Sequence, residues 1–187
     1  MIPAPLLVIV GGGHVGQALA WQAGLVGFDL LVLDDRAEFT DPALYPPGAA
    51  TRRGEVAAEL AGLALGPDTF VAIVTRGHQH DRAALAACVR GPAAYVGMIG
   101  SKRKVAMIRR DLLESGQASR EQLDRVYAPI GLDIGAQTVP EIAASIVAQL
   151  IAVRRKGSAP RMPTGCGQDG VDRGGAGAQR GKENIEY

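Results

Sequence analysis

The sequence predicts an α/β fold, built as an open, mostly parallel β-sheet with helices on both of its faces. Apolar runs of strand length alternate along the chain with segments of helical periodicity, and this alternation is typical of parallel sheets. The run at 28–33 is apolar at almost every position, as expected for a strand covered on both faces. The first run, Leu6–Val10, leads directly into a glycine triplet and then a helical stretch, an order that makes the sheet Rossmann-like.

The elements follow one another in a regular order. The first helix is predicted over 15–23, where Gly24 ends it, and a loop over 36–54 rich in proline and glycine follows the second strand. The remaining strands are predicted at 50–53, 69–75 and 94–99, and the helices between and after them at 55–63, 81–89 and 102–114. Ser119 and Thr138 each have capping-box spacing and start two more helices, of which the second is long and ends at basic residues.

Composition places the chain among soluble, cytoplasmic proteins. Its 187 residues suffice for one domain, and a formal net charge of +1 argues against general nucleic-acid binding. No apolar run is long enough to span a membrane, and the start does not have the pattern of a signal peptide. Cys88 and Cys166 give no disulfide framework, which fits a reducing compartment. We predict a Rossmann-like domain over 1–156 and a disordered, Gly-rich tail over 157–187.

The glycine triplet predicts an anion site at the start of the first helix. Gly11 permits the tight turn, Gly13 lets the backbone approach a pyrophosphate, and Gly16 lets the helix and strand pack closely. Free N–H groups at His14 and Val15 and the positive end of the helix dipole then face the ligand. The alternative is a glycine-rich turn that binds no ligand.

Two carboxylates end the second strand, where a Rossmann-like protein holds a ribose. Asp34 or Asp35 would accept hydrogen bonds from a ribose diol, and a carboxylate there disfavours a 2′-phosphate. Arg36 could stack on adenine or pair with a phosphate. An unphosphorylated, NAD-like ribose is therefore favoured, and a solvated acidic turn is the alternative.

The polar stretch Thr75–Asp81 follows the central strand, where a substrate or a second part of a cofactor would bind. His78 is suited to proton transfer or to contact with an oxyanion at neutral pH. The residue types would also suit a metal, but no third ligand has a motif-like spacing. The alternative is that Asp81 caps the next helix and the histidines lie in solvent.

A second anion site is predicted where Gly100, Ser101 and the basic residues Lys102–Lys104 open a helix directly after a strand. An ordinary solvated charge run is the alternative. Two such sites on adjacent strand ends would suit the phosphate of a pterin or a nucleotide. Because the carboxyl ends of parallel strands share one edge, we expect four groups to meet in one crevice: His14, Asp34–Arg36, Thr75–Asp81 and Gly100–Lys104.

Four segments together resemble the xanthine dehydrogenase accessory (XdhC/CoxI-type) family of molybdenum-cofactor chaperones. The segments are Val10–Gly16 with Leu33–Arg36, Thr75–His78 with Asp81, Tyr95–Lys104, and Pro129–Thr138. The last two are the specific ones, since a general dinucleotide fold has no reason to contain them. The resemblance implies a Rossmann-type domain that binds molybdenum cofactor (molybdopterin) or its nucleotide form, assists its sulfuration and hands it to a molybdenum hydroxylase client. The contacts it implies are Gly11, Gly13, His14, Gly16, Asp34, Arg36, His78, Ser101, Lys102 and Asp133.

Two departures from the family qualify the resemblance. The family has a separate N-terminal domain, whereas this chain begins with the first Rossmann strand, so we expect a separately encoded partner to supply that domain. Thr138-Val139-Pro140 also shifts a proline by one position within the first turn of a helix, where proline is tolerated.

The favoured hypothesis is a non-catalytic accessory protein, and an apolar face on the last helix could support a homodimer. Two other functions stay open. One is an NAD-dependent oxidoreductase with His78 as acid and base, although the chain is short for a dehydrogenase. The other is a regulatory module that senses NAD or another nucleotide.

Overall fold

Five parallel strands form one sheet in the computed structural model of the chain, which describes residues 4–162. The strands are β1 (Leu6–Val10), β2 (Asp29–Asp34), β3 (Ala50–Arg53), β4 (Thr69–Ile73) and β5 (Tyr95–Met98). Their spatial order is β3-β2-β1-β4-β5, and every neighbouring pair is parallel. The predicted Rossmann-like class is confirmed, and the strand order changes direction at β1, where such sheets bind ligands.

Helices cover both faces of the sheet, as predicted. They are α1 (His14–Leu25), α2 (Val56–Ala61), α3 (His78–Cys88), α4 (Lys102–Glu114), α5 (Arg120–Asp124) and α6 (Val139–Lys156). Because side chains alternate along a strand, β1 feeds two apolar clusters. Val8 and Val10 pack with α2, α3, α4 and α5, while Leu7 and Ile9 pack with α1 and α6.

Local sequence signals determine where α5 and α6 begin and where α6 ends. The hydroxyls of Ser119 and Thr138 accept backbone N–H groups three residues ahead, and the side chains of Gln122 and Glu141 bind back to the caps. Both predicted capping boxes are therefore confirmed. α6 ends at Gly157, whose left-handed φ of 77° stops the helix after its basic last turn.

Some predicted boundaries are wrong. α2 ends at Ala61 and not at residue 63, β4 ends at Ile73 and not at residue 75, and two helix boundaries placed by glycines also differ. Gly24 lies inside α1, because the helix continues to Leu25 and Gly27, with φ of +81°, makes the turn instead. An added Cβ at Gly24 would meet Pro46 at 3.4 Å and Leu30 at 3.5 Å, which are ordinary contact distances, so a helix residue with a side chain fits here. α3 begins at His78 and not at Asp81, because Gly77, with φ of +97°, turns the chain into the helix earlier.

The chain beyond α6 lies partly outside the described residues. Residues 157–162 follow α6 as an irregular segment that contacts the rest of the domain. Residues 163–187, which include Cys166, fall outside, so the division into a domain over 1–156 and a disordered tail over 157–187 stays a prediction.

Cys88 lies in the core, where burial raises the pKa of its thiol to about 12. Over the span 4–162, no helix has the length and apolar character needed to cross a membrane.

Candidate functional site

The glycine turn after β1 takes its shape from two tightly packed glycines. At Gly11, with φ of +109°, an added Cβ would lie 2.8 Å from the carbonyl oxygen of Val74. At Gly16 it would lie 2.0 Å from the carbonyl oxygen of Gly11, so α1 packs directly on the turn. Close packing alone explains these two glycines.

Gly13 differs from them because the space beside it is open. It is the N-cap of α1, and an added Cβ would meet no described atom within 4 Å. The N–H groups of His14, Val15 and Gly16 lie in the first turn of α1, where helix geometry provides no acceptor. An anion beside Gly13 would accept these N–H groups and gain from the helix dipole.

Both oxygens of the buried Asp34 carboxylate are bonded within the protein. Oδ2 accepts the Gly12 N–H at 2.7 Å, and Oδ1 accepts the Arg36 N–H at 3.0 Å. The Arg36 guanidinium donates to both oxygens at 3.0 Å and lies 4.0 Å from the centroid of the Phe39 ring. A ribose diol would have to compete with these donors for Asp34, whereas the neighbouring Asp35 is exposed.

The loop predicted over 36–54 covers Gly12, through a tyrosine that the sequence did not single out. The Tyr45 hydroxyl lies 2.5 Å from the carbonyl oxygen of Phe39, to which it donates, and 3.3 Å from that of Gly12. Burial and the nearby Asp34 raise the pKa of Tyr45 to about 12, so the hydroxyl stays a donor at neutral pH. An added Cβ at Gly12 would lie 2.6 Å from the carbonyl oxygen of Phe39, a backbone atom, so the loop requires glycine here.

The Asp34 network makes the stability of the fold depend on pH. Burial alone would raise the pKa of Asp34, but hydrogen bonds from Arg36 and Gly12 hold it below its ordinary value of 3.8. A carboxylate of this kind stabilises the fold fully above its unfolded-state pKa and loses that contribution as the pH falls through its native value. Asp34→Asn should therefore lower the free energy of unfolding at about pH 7, and the loss should shrink towards about pH 3.

Urea denaturation across this pH range measures the effect of Asp34→Asn. Asp29→Asn, at an exposed acid of the same strand, is the matched control and should change little. A loss that is the same at every pH would contradict the ionic role of Asp34.

A buried ion pair connects the turns that follow β4 and β5. Asp81, in the first turn of α3, is 0% exposed, accepts the Thr75 hydroxyl and pairs with the Lys104 ammonium. Burial raises the pKa of Asp81 above its ordinary value, and the contacts with Lys104 and Thr75 offset only part of this rise. Asp81 is therefore not a helix cap, and the charge of Lys104 is already paired.

His78 is tied to a neighbouring helix. Its Nε2 lies 3.0 Å from Oδ2 of Asp111 on α4, while His80 is exposed. The alternative that both histidines lie in solvent is wrong for His78, because α3 starts early enough to bring it against α4. Within the part of the chain that the structure describes, no three His, Cys, Asp or Glu side chains are grouped so as to hold a metal ion.

A cavity of about 260 Å³ lies beyond the end of β5, and we call it the β5 cavity. The turn Gly100–Lys102 and the loop 129–136 form two of its sides, and α6 and Met162 contribute the rest. The Ser101 hydroxyl accepts the Lys104 N–H at 3.2 Å, so Ser101 caps α4 beside the cavity. The cavity brings together four predicted site residues: Gly100, Ser101, Lys102 and Asp133.

The other predicted site residues lie along the same sheet edge but do not line this cavity. They are Gly11, Gly13, His14, Val15, Gly16, Asp34, Asp35, Arg36, Thr75 and His78. The glycine turn abuts Thr75, because an added Cβ at Gly11 would lie 3.0 Å from its Cα. Thr75 bonds Asp81, Asp81 pairs with Lys104, and the Lys104 side chain lies against Gly100. The described residues thus form two neighbouring sites connected by a buried ion pair.

Several residues that line the β5 cavity were not predicted from the sequence as site residues. They are Ile99, Pro129, Ile130, Gly135, Ala136, Ile142, Ser145 and Met162. One signal was present in the segment that carries the family resemblance. Its glycines Gly131 and Gly135 have φ of +94° and +71°, and these turns bring the loop back towards α6.

Comparisons with known proteins place this geometry in a family. Residues 7–150 match the family described as the XdhC Rossmann domain. Over 151 residues the chain is 41% identical to an Escherichia coli K12 protein named uncharacterized protein YqeB, a match covering 80% of this chain and 27% of that protein. It is 29% identical over 154 residues to a Bacillus subtilis protein named as a probable xanthine dehydrogenase subunit, covering 82% and 44% of the two chains. It is 26% identical over 152 residues to the molybdenum cofactor insertion chaperone PaoD of Escherichia coli K12, covering 81% and 41%.

A solved structure supports the same assignment. A xanthine dehydrogenase from Bacillus halodurans superposes with a TM-score of 0.73 at 32% identity, over 84% of this chain and 46% of that one. The chain thus spans between about a quarter and a half of the length of these relatives. The family match covers most of the chain and confirms the resemblance found in its motifs. The chain belongs to the XdhC family and carries its Rossmann domain.

Proposed function

We propose that the chain binds molybdenum cofactor, or its nucleotide form, and assists the maturation of a xanthine dehydrogenase-type molybdenum hydroxylase. The observation that carries the proposal is the β5 cavity, which combines an anion-ready helix start, apolar walls and a carboxylate. A flat pterin with a phosphate needs these three features. The names of two relatives, a molybdenum cofactor insertion chaperone and a probable xanthine dehydrogenase subunit, support the same role.

The residues of the β5 cavity fit this cofactor by their chemistry. Within the described span, the Ser101 hydroxyl accepts only the Lys104 N–H, so the N–H groups of Lys102 and Arg103 at the start of α4 and the Lys102 ammonium are suited to a phosphate. Asp133 offers a carboxylate to ring N–H donors, and Ile130 and Ile142 offer apolar surface to a flat ring. The bound cofactor would supply the redox chemistry of the client enzyme, while this chain binds and orients it.

The glycine turn is suited to the second phosphate of a nucleotide form. The N–H groups of His14, Val15 and Gly16 would hold it beside Gly13. Because Asp34 is bonded internally, the exposed Asp35 and the Arg36 guanidinium are the side chains left to contact a ribose or phosphate.

Native mass spectrometry tests the proposal on the chain purified anaerobically from a host that makes molybdenum cofactor. We expect a co-purifying molybdopterin mass, and its loss in Lys102→Ala or Asp133→Asn. Arg155→Ala, at an exposed arginine of α6, is the matched control and should retain the mass. An adenine dinucleotide in place of molybdopterin would overturn the proposal and favour an NAD-binding role.

Gly13→Asp should separate ligand binding from folding at the glycine turn. The new side chain meets open space and suits an N-cap, so stability should be kept or increased. Its charge would repel the anion, so bound nucleotide-form cofactor should fall by about tenfold or more. Gly13→Asn introduces a side chain of nearly the same shape as aspartate but without its charge. This variant should retain far more bound nucleotide-form cofactor than Gly13→Asp. Equal occupancy in the two variants would rule out an anion at this turn.

The proposal also extends to partners and location. The client would be a cytoplasmic molybdenum hydroxylase. A homodimer would use exposed apolar residues such as Ile151 on α6. Co-purification with tagged client and light scattering of the chain alone check these two contacts.

A further inference from the structure

We propose that residues 158–162 form a strap that covers the β5 cavity, with Met162 as a wall that limits which ligands enter. This inference rests on the proposed function only in taking the cavity as the ligand site. The strap lies beyond residues 7–150, which match the family, so the family match does not assign it. Its half-buried residues Ala159 and Met162 alternate with exposed neighbours, and Met162 lines the cavity.

The turn at the end of α6 sends the strap back over the domain. Gly157 has a left-handed φ of 77°, which ends the helix and changes the chain direction. The carbonyl oxygen of Pro160 then accepts a hydrogen bond from Nε2 of Gln149, at 3.0 Å. Gln149 lies about two helical turns before Gly157, so the strap returns alongside α6.

Tyr127 holds the strap from the side of β5. It pairs with Gly97 through an isolated parallel bridge, and its hydroxyl accepts the Ala159 N–H at 3.3 Å. The Arg161 guanidinium lies 4.4 Å from the centroid of the Tyr127 ring and donates to the carbonyl oxygen of Arg125 at 3.3 Å. The strap therefore reaches from α6 to the segment beside β5, the outer strand of the sheet.

A single buried amide connects the strap with the opposite side of the cavity. Gln149 is 0% exposed, and its Oε1 accepts the Tyr95 hydroxyl at 2.7 Å and the Gly131 N–H at 2.9 Å. Its Nε2 donates to the carbonyl oxygens of Gly131 and Pro160, both at 3.0 Å. Lifting the strap would leave one buried donor unbonded, which favours the closed position. Among the described residues, the strap is otherwise held by two hydrogen bonds and one cation–π contact, with Tyr127 and Arg125, so it can open without unfolding the domain.

Thiol labelling measures whether the strap covers the cavity. Ser145→Cys places a thiol on the cavity wall with little change in size, and Cys166→Ser leaves Cys88 as the second thiol. A nitrobenzoate disulfide is the reagent, because it is an aromatic anion of the kind the cavity fits. Tyr127→Phe combined with Arg161→Ala should speed labelling at position 145 about tenfold, since a hydrogen bond and a cation–π contact are lost.

Two further variants separate the effect of the strap's hydrogen bonds from the effect of the Met162 side chain. Met162→Ala removes the wall but leaves the strap's hydrogen bonds in place, and it should also speed labelling about tenfold. Arg155→Ala removes an exposed cation close to the strap in sequence, and it should leave the rate unchanged. Tyr127→Phe keeps the ring that stacks on Tyr95 at 4.8 Å, so the core under the strap stays packed.

Two results would overturn the inference. One is an unchanged labelling rate at position 145 in the strap variants and in Met162→Ala. The other is an equal rise at Cys88, because this buried thiol lies in the apolar cluster on the opposite face of the sheet and reports opening of the whole fold. The outcome is independent of the proposed function, since labelling shows the strap's role whether or not molybdopterin co-purifies.

Discussion

Gly16→Ala should destabilise the domain by about 3 kcal/mol or more. The added methyl group would lie 2.0 Å from the carbonyl oxygen of Gly11, a backbone atom that cannot rotate away. Relief would require α1 to move off the turn, although Leu19 and Ala20 of α1 are fully buried against the sheet. Urea denaturation followed by circular dichroism measures the loss.

Gly13→Ser is the matched control for Gly16→Ala. The serine side chain has open space at the N-cap of α1 and can bond an N–H group of the first turn. Its free energy of unfolding should therefore equal or exceed that of the unchanged chain. Similar losses in the two variants would contradict the assignment of Gly16 to packing and Gly13 to the ligand.

The sequence was informative wherever burial or backbone conformation is encoded locally. The apolar runs predicted the parallel strands, because strands covered on both faces leave no polar alternation. α4 covers the predicted 102–114 and β3 the predicted 50–53, since a serine cap and a short extended run are local signals. Gly24 misled the prediction because α1 continues through it to Leu25, and Gly27 makes the turn after the helix.

The functional residues were harder to predict, because their partners are distant in the sequence. The hydrogen bond between Asp34 and the Gly12 N–H joins residues 22 positions apart. Asp34, which the sequence suggested as a ribose acceptor, therefore also holds the glycine turn in place. Lys104 looked like part of an anion site until the fold placed it against Asp81. Asp133 entered through the family resemblance alone, and Met162 reaches the cavity only because the chain turns at Gly157.

The buried ion pair explains how the two neighbouring sites keep a fixed relation. Asp81 follows the turn after β4, and Lys104 belongs to the helix that starts beside the β5 cavity. The Lys104 side chain also lies against Gly100, where an added Cβ would be 3.0 Å from its Cδ. Removing Asp81 should therefore disturb stability and also the shape of the anion end of the cavity.

Asp81→Ala should destabilise the fold by about 3 kcal/mol or more, because it leaves the half-buried Lys104 without its counter-charge and Thr75 without its acceptor. Asp81→Leu combined with Lys104→Met should recover most of this loss, since an apolar pair of similar size needs no ion pairing. Urea denaturation of Asp81→Leu, of Lys104→Met and of their combination gives the interaction energy as a double-mutant cycle. Losses that simply add would show that the two side chains are not coupled.

The pH dependence of these variants gives a second, independent measure of the pair. Because burial raises the pKa of Asp81 in the fold, its contribution to stability is full below the unfolded-state pKa and is lost as the pH rises through the native value. This direction is opposite to that of Asp34, whose pKa is lowered. The Asp81→Leu, Lys104→Met variant should lack the decline, so its stability relative to the unchanged chain should rise with pH. A constant difference would mean that Lys104 and Thr75 offset the burial of Asp81 completely.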